Sequence, residues 1–151
     1  QEAPAKTLPE SSDPQEVGAE IARDRRFAKA LDRRRSVIRN KLEALRQERG
    51  GIALFGAGHL AVAFLSIMGV ADLITCIIDD DPHKKGLRMP VAQLPILGSE
   101  ALYSGEIKVC LLSLNPQNQA PVIAQHGRFL QEGGLFASIF PGTARDLEAL
   151  P

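Results

Sequence analysis

The sequence contains no tryptophan, a single tyrosine and only two cysteines, and its basic and acidic residues are equal in number, at 18 each. No apolar run approaches the ~20 residues that a membrane-spanning helix requires, so we expect a soluble protein without a membrane partner. We expect it to be cytoplasmic, because its two cysteines suit a reducing compartment. Cys76 and Cys110 each lie inside an apolar run, without a second cysteine or a histidine at metal-ligand spacing. We therefore expect two reduced thiols in the core, and neither a disulfide nor a metal site.

The first third of the chain is predicted to be a linker followed by a long helix. Residues 1–14 contain three prolines and two serines but few large apolar side chains, which is typical of a linker. Residues 15–49 contain no proline, and apolar residues recur at helical spacing along an otherwise charged segment. This pattern predicts an amphipathic helix that ends at the glycine pair 50–51. Because the first residue is glutamine and not methionine, we expect a fragment tethered to an upstream portion, with a processed form that has lost its leader as the alternative.

The predicted helix admits three interpretations. Between Ile21 and Arg49 there are 11 basic and 4 acidic residues, which gives this segment a charge of +7. The simplest interpretation is that its apolar stripe packs on its own domain or on a missing neighbour, and the second is homodimerisation through residues 21–45. Nucleic-acid binding is not expected, because Phe27 stands alone and no other aromatic side chain is interleaved for base stacking.

Apolar runs alternate with helical segments from residue 50 to the end of the chain. Strands are predicted at 52–55, 73–78, 107–114 and 135–140, with a weaker extended piece at 91–97 that two prolines interrupt. Such alternation is typical of a parallel sheet with right-handed connections. The predicted fold class is therefore α/β. It comprises a single three-layer Rossmann-like domain over residues 50–151, with a mostly parallel sheet of about five strands, preceded by the long amphipathic helix.

Three helices are predicted to connect these strands. They cover residues 60–68, 99–103 and 121–132. Ser99 is the expected cap of the second helix, because a serine at that place can accept a hydrogen bond from the first turn. His126 is expected on the surface of the third helix, without a function. A further short helical turn is expected within residues 144–150.

The turn after the first strand carries the clearest functional signal. Residues 56–61 read Gly-Ala-Gly-His-Leu-Ala, which has the form G-x-G-x-x-A. In such a turn Gly56 permits a sharp bend, Gly58 lets the backbone approach a phosphate, and Ala61 lets the helix pack on the strand. Asp79 lies 23 residues beyond Gly56, close to the ~20 expected of an acid that binds ribose hydroxyls. The pattern predicts a nucleotide-binding unit, and a turn kept for packing alone is the alternative.

Further candidate contacts follow the predicted strands. Ligands of open parallel sheets bind beyond the carboxyl ends of the strands, where the strand order reverses. This rule makes Ser113 and Asn115, at the end of the third long strand, and Pro141, after the last, candidate ligand contacts. A helix-capping role is the alternative for Asn115. His59, at the start of a helix, is placed to donate to a phosphate oxygen, and a capping or simply exposed histidine is the alternative.

Three consecutive carboxylates, at residues 79–81, could in principle form a magnesium site. Asp81 precedes Pro82 and is more simply a turn former, so magnesium binding is disfavoured. Asp79 or Asp80 is instead expected to hold a ribose or sugar hydroxyl. No Ser/His/Asp or Cys/His nucleophile arrangement can be assembled, so no catalytic residue is assigned to the chain.

Several segments resemble the C-terminal domain of sugar C-methyltransferases. They are residues 52–61, 77–86, 94–97, 112–116 and 133–141, and the resemblance extends roughly over 25–142. It implies an incomplete Rossmann unit that helps to hold a nucleotide-linked deoxysugar, in a parent protein that uses S-adenosylmethionine. The methyl-transfer and zinc-binding portions would lie in an upstream domain, so the chain is expected to bind substrate without turning it over. The implied phosphate contacts are Gly56, Ala57, Gly58 and His59.

Two positions depart from this family's usual pattern, and three alternatives stay open. His59 stands where members often carry Lys or Arg, and Leu114 where they often carry an aromatic residue. One alternative is an NAD-linked oxidoreductase module, because Asp79 suits an adenosine ribose. Another is the sugar-nucleotide-binding domain of hexapeptide-repeat sugar acyltransferases, although this chain has no hexapeptide repeat. The third is a helix-mediated interaction domain.

Overall fold

The structure, a computed structural model, describes residues 14–150, except for the side chains of Pro14 and Glu16. The predicted linker therefore lies outside the described residues, apart from Pro14, at which the first helix begins. The chain divides into two compact units, residues 1–33 and 34–151. Helix α1, Pro14–Glu48, contributes to both units.

The two parts of α1 differ in burial. Ile21 and Phe27, in the first unit, are 47% and 71% exposed. In the second unit Ile38, Leu42 and Leu45 are buried, so the apolar stripe that the sequence predicts is buried only there.

The second half of α1 is also fixed by polar contacts within its own unit. The Arg39 guanidinium pairs with both oxygens of Asp72, at 3.0 and 2.9 Å. Arg34 Nε donates to Glu148 at 2.8 Å. Part of the positive charge between residues 21 and 49 is therefore paired with acidic side chains of the same chain.

Five parallel strands form the sheet. They are β1 Gly51–Phe55, β2 Cys76–Ile78, β3 Ile96–Leu97, β4 Ile107–Leu112 and β5 Leu135–Ser138. Their order is β3-β2-β1-β4-β5, and every neighbouring pair is parallel. The predicted α/β fold with a long preceding helix is confirmed. The chain leaves β1 toward β2 and later returns to the other side of β1 with β4, so the strand order reverses between β1 and β4.

Helices lie between most of the strands. Helix α2, His59–Met68, connects β1 to β2, and a 3₁₀ helix, Ser99–Tyr103, connects β3 to β4. Two short helices, α3 Gln119–Gln125 and α4 Gly127–Gln131, connect β4 to β5. None of the helices within residues 14–150 combines the length and apolar character needed to cross a bilayer.

One face of the sheet carries an apolar cluster in which the two cysteines lie. Ala53 of β1 is paired with Cys76 on one side and Cys110 on the other, and Phe129 and Phe136 pack into the same cluster. Both cysteines are buried free thiols, as predicted. They lie two strand spacings apart, roughly 10 Å, beyond the reach of a disulfide.

The structure corrects several predicted boundaries. The run 73–78 is not one strand: residues 71–73 form a 3₁₀ turn, closed by the bond from Leu73 N to Val70 O, and only 76–78 pair in the sheet. Strands predicted to reach residues 114 and 140 end at 112 and 138. Gly98, and not Ser99, is the N-cap residue of the helix Ser99–Tyr103, and no side chain caps this helix, so the capping role predicted for Ser99 is wrong.

The helix predicted over residues 121–132 is broken at His126. Its backbone has φ −107° and ψ 31°, and Gly127, a poor helix former, follows it. At the break the imidazole lies inward: His126 is 4% exposed and packs against Phe55 with ring centroids 5.7 Å apart and the ring planes tilted by 53°. The prediction of a surface histidine was therefore wrong.

Candidate functional site

The carboxyl ends of β1 and β4 meet at the Gly56 turn. Phe55 is in register with Leu112, and Gly56 N donates to Ile78 O of β2 at 2.7 Å. Gly56 has φ +102°, and a Cβ atom there would lie 2.8 Å from Leu114 Cδ2. Only glycine fits both the backbone angle and the space at this position. The structure thus brings the glycine turn against the loop after β4, at the point where the strand order reverses.

Ser113 fixes this junction from the inside. It is 4% exposed, and its hydroxyl is shared between Phe55 O at 2.6 Å and Gly56 O at 3.0 Å. Because a hydroxyl has one hydrogen to donate, it is committed to the turn. Ser113 therefore links the ends of β1 and β4, and its donor is not available to a ligand.

Asp79, at the end of β2, also holds the glycine turn. Its Oδ2 accepts hydrogen bonds from Ala57 N at 2.8 Å and Lys84 Nζ at 2.9 Å, and its Oδ1 accepts one from Asp81 N at 3.0 Å. Burial raises the pKa of the Asp79 carboxyl, but these donors outweigh it and hold the pKa below its usual value. The carboxylate is therefore ionised near neutral pH, and the Ala57 N–H is already satisfied.

Asp80 points to a different loop. Its Oδ1 accepts a hydrogen bond from Ser99 N at 2.8 Å and lies 3.7 Å from Lys85 Nζ. Burial raises the pKa of Asp80, whereas the Ser99 donors, Lys85 and His126 lower it, and the net effect is a lowered pKa. The two adjacent carboxylates thus fix two separate segments, the glycine turn and the loop after β3.

The start of α2 is open to solvent. Gly58 is its N-cap residue, is exposed, and has no atom within 4 Å of where a Cβ would stand. No side chain caps the helix, and its first turn has no acidic residue. Among the described residues, nothing accepts a hydrogen bond from the backbone N–H groups of His59, Leu60 and Ala61. These groups and the helix dipole create a positive local potential, with the exposed His59 side chain beside it.

Asn115 and Pro141 are both exposed at the same edge of the sheet. Asn115 Oδ1 accepts a long hydrogen bond, 3.4 Å, from Gln117 N and so caps the 3₁₀ helix Pro116–Asn118. A capping role was the alternative that the sequence left open for Asn115, although the helix it caps is not the one predicted. Its amide nitrogen donates to none of the described residues.

Two residues near the site, Lys84 and His126, were not predicted from the sequence. Lys84 brings an ammonium group to Asp79 because the chain after β2 turns back, with Lys84 N bonded to Asp81 O at 3.0 Å. The turn-forming Asp-Pro pair just before it was an available signal. The other is His126, whose Nδ1 lies 3.1 Å from the Tyr103 hydroxyl and whose buried Nε2 has no hydrogen-bond partner in the described part of the chain. The glycine after His126 was the only signal for its position.

No group of three or more His, Cys, Asp or Glu side chains within residues 14–150 is arranged to hold a metal ion. The polar groups at the sheet edge are N–H donors, amides and single carboxylates. This arrangement suits the binding of an anion with hydroxyl groups.

Comparison with known proteins agrees with the geometry. The family described as the C-methyltransferase C-terminal domain matches residues 13–141, which is most of the chain. No curated protein gives a significant match. The family match covers α1, the glycine turn and all five strands. The chain therefore belongs to the C-methyltransferase C-terminal domain family.

Proposed function

We propose that this domain binds a nucleotide-linked sugar at residues 56–61 and presents it to a methyl-transfer centre in an upstream domain. The observation that carries the proposal is the uncapped start of α2 at the reversal point of the sheet, in a chain of this family. S-adenosylmethionine would supply the methyl group in the upstream domain. On its own the domain binds substrate without catalysis.

The diphosphate is placed at the start of α2. The N–H groups of His59, Leu60 and Ala61 are the free donors there, because Asp79 already accepts the hydrogen bond of Ala57 N–H. A phosphate at a helix N-terminus is favoured both by these donors and by the helix dipole. The exposed His59 imidazole adds a further donor at the same place.

The hydroxyl groups of the ligand are placed at Asp79 and Asn115. Asp79 Oδ1 accepts one hydrogen bond, from Asp81 N, and so retains a lone pair for a ribose or sugar hydroxyl. The amide nitrogen of Asn115 is available on the other side of the crevice. Asp80, bonded to Ser99 N, is the weaker candidate.

The same geometry argues against S-adenosylmethionine or NAD at this turn. Both carry an adenosine ribose whose two hydroxyls an acidic residue at the end of β2 normally clamps. Here Asp79 Oδ2 is occupied by Ala57 N–H and Lys84, which leaves one oxygen where a clamp needs two. A nucleotide-sugar held mainly through its phosphates fits the remaining donors better.

Two substitutions of Gly58 test the proposal directly. Gly58 has extended backbone, with φ −124° and ψ −174°, and open space at the Cβ position, so larger residues fit there. Gly58→Asp places a carboxylate where the phosphate would bind and provides a cap for α2, whereas Gly58→Asn provides a cap without the charge. We expect Gly58→Asp to reduce binding below detection. Gly58→Asn should retain an affinity at least about tenfold higher than that of Gly58→Asp, because it lacks the repelling charge. Neither variant should lose thermal stability.

Titration calorimetry on the whole chain, with dTDP-glucose, UDP-glucose, dTDP and NADH as probes, measures these effects. His59→Ala should weaken diphosphate binding about 5- to 10-fold, because it removes one charge-assisted hydrogen bond. His83→Ala is the matched control, since His83 is an exposed histidine in the loop after β2. The proposal is wrong if no probe binds, if NADH binds best, or if Gly58→Asp binds as the wild type does.

A further inference from the structure

A cavity of about 550 Å³ lies at the β5 edge of the sheet, between α3 and the loop after β5. This volume is in the range of small-molecule binding sites. None of the residues that line the cavity belongs to the glycine turn. The cavity is therefore separate from the glycine turn, where the diphosphate is proposed to bind.

One wall of the cavity is apolar and comes from α3. Ala120, Ile123 and Ala124 lie three and four positions apart, so they share one face of the helix. Pro116, just before the helix, extends this wall. The short alanine side chains leave room for a ligand that packs an apolar surface on the helix.

The opposite wall is a loop that the sheet holds in place. Arg145 O accepts a hydrogen bond from Ser138 N at 2.7 Å, which attaches the loop to the edge of β5. Thr143 Oγ1 donates to Phe140 O at 3.0 Å, and Asp146 Oδ2 accepts a bond from Gly142 N at 2.8 Å. The cavity is therefore formed before any ligand enters, and binding does not have to order this loop.

Gln119 also lines the cavity, and its side-chain oxygen is an unused hydrogen-bond acceptor. It is 6% exposed, and its Nε2 donates to Leu114 O and to Ser138 Oγ, both at 3.0 Å. Because a carbonyl oxygen such as Leu114 O can only accept, this contact fixes which end of the amide carries the nitrogen. Gln119 Oε1 then has no hydrogen-bond partner among residues 14–150.

Arg145 supplies the charge. Arg145 lines the cavity and is partly buried, and its guanidinium forms no ion pair or hydrogen bond with any described side chain or carbonyl. A guanidinium matches the paired oxygens of a phosphate or carboxylate, so a free one beside a pocket favours an anionic ligand.

We propose that this cavity is a second binding site, for a sugar phosphate or a sugar acid. Arg145 pairs with the anionic group, Gln119 Oε1 accepts a hydrogen bond from a ring hydroxyl, and the C–H face of the ring packs on Ala120 and Ala124. The class of ligand follows from the three features together: a free cation, an unpaired acceptor and an apolar wall. This site does not depend on the function proposed for the glycine turn.

Chemical-shift titration of the whole ¹⁵N-labelled chain tests the proposal, with glucose 1-phosphate, glucuronate, glucose and inorganic phosphate as probes. We expect the first two to shift the amides of α3 and of residues 143–145, and glucose to bind more weakly. Comparing the shift changes caused by glucose 1-phosphate with those caused by glucuronate shows whether the site prefers a phosphate or a carboxylate. The absence of shifts at these amides with both anionic sugars would overturn the proposal.

Matched variants separate the site from nonspecific charge effects. Arg145→Met should weaken binding about tenfold or more. Arg49→Met is the control, because Arg49 is an exposed arginine near the other end of β1, and its side chain pairs with none of the described residues. Equal losses in the two variants would refute a specific site.

A second pair of variants tests the shape of the site and its independence. Ala124→Leu fills the cavity from an exposed helical position, and it should remove binding while thermal unfolding stays unchanged. Gly58→Asp should leave the binding of both anionic sugars unchanged. If Gly58→Asp removes it, the anion binds at the glycine turn and the second site does not exist.

Discussion

The substitution Gly56→Ala tests the junction on which the candidate site depends. Gly56 has φ +102°, and an L-residue at positive φ costs about 1–2 kcal/mol. The added Cβ would lie 2.8 Å from Leu114 Cδ2 and 3.3 Å from Ser113 Oγ. Leu114 is half-buried and can move, but leaving its rotamer costs about 0.5–1.5 kcal/mol. We therefore expect Gly56→Ala to lower the free energy of unfolding by about 2–3 kcal/mol.

Gly133→Ala is the matched control for this experiment. Gly133 has φ +85°, but nothing lies within 4 Å of its Cβ position, so the variant carries the backbone strain without the contact. Because the chain has no tryptophan, urea unfolding followed by far-UV circular dichroism is the suitable assay. The difference between the two variants should be about 1 kcal/mol, which corresponds to roughly 2–4 °C in Tm. Equal destabilisation would show that the contact of the turn with the loop after β4 is not tight.

Three further predictions concern Asp79, the two cysteines and His126. The lowered pKa of Asp79 contributes stability that is complete above the ordinary pKa of aspartate and is lost as the pH falls through the pKa of the folded protein. In acid titrations Asp79→Asn should therefore show a smaller loss of stability below about pH 4 than the wild type. Burial, together with the charge of Glu106, raises the pKa of Cys76 to about 11, and burial raises the pKa of Cys110 well above its usual value. Iodoacetamide at pH 8 should therefore modify neither thiol until urea unfolds the protein. His126→Phe removes the unpartnered Nε2 and keeps a ring in the core, so it should change the free energy of unfolding by less than about 1 kcal/mol. His126→Ala removes the ring and should lower the free energy of unfolding by about 2–3 kcal/mol, as measured by urea unfolding.

The sequence predicts those features of the fold that depend on local pattern. The G-x-G-x-x-A turn requires a strand before it and a helix after it, and the structure has β1 and α2 in those places. The continuous apolar runs 107–114 and 135–140 predict buried parallel strands because both of their faces are covered. The strand ends were overestimated, since apolar residues such as Leu114 continue beyond the last ladder bond to cover the glycine turn.

Contacts between distant segments could not be predicted in the same way. Asp79 lies where a ribose-binding acid is expected, but its side chain bonds to Ala57 N–H and Lys84, and spacing alone does not show which donor a carboxylate takes. Ser113 looks like a ligand contact in sequence because it follows a strand, yet its hydroxyl turns inward to Phe55 O. The inward position of His126 depends on a helix break that only tertiary packing fixes.

The contacts around the glycine turn explain why the start of α2 is the part left for a ligand. The ends of two neighbouring strands hold the turn. At the end of β2, Ile78 O accepts a hydrogen bond from Gly56 N and Asp79 accepts one from Ala57 N, and after β4 the Ser113 hydroxyl donates to the carbonyl of Phe55. Each contact removes a donor or an acceptor from the reach of a ligand. The same contacts fix the direction of α2, so its free N–H groups are oriented before a phosphate arrives. A preoriented set of donors loses little conformational freedom on binding, which is what a domain that positions a substrate for chemistry elsewhere requires.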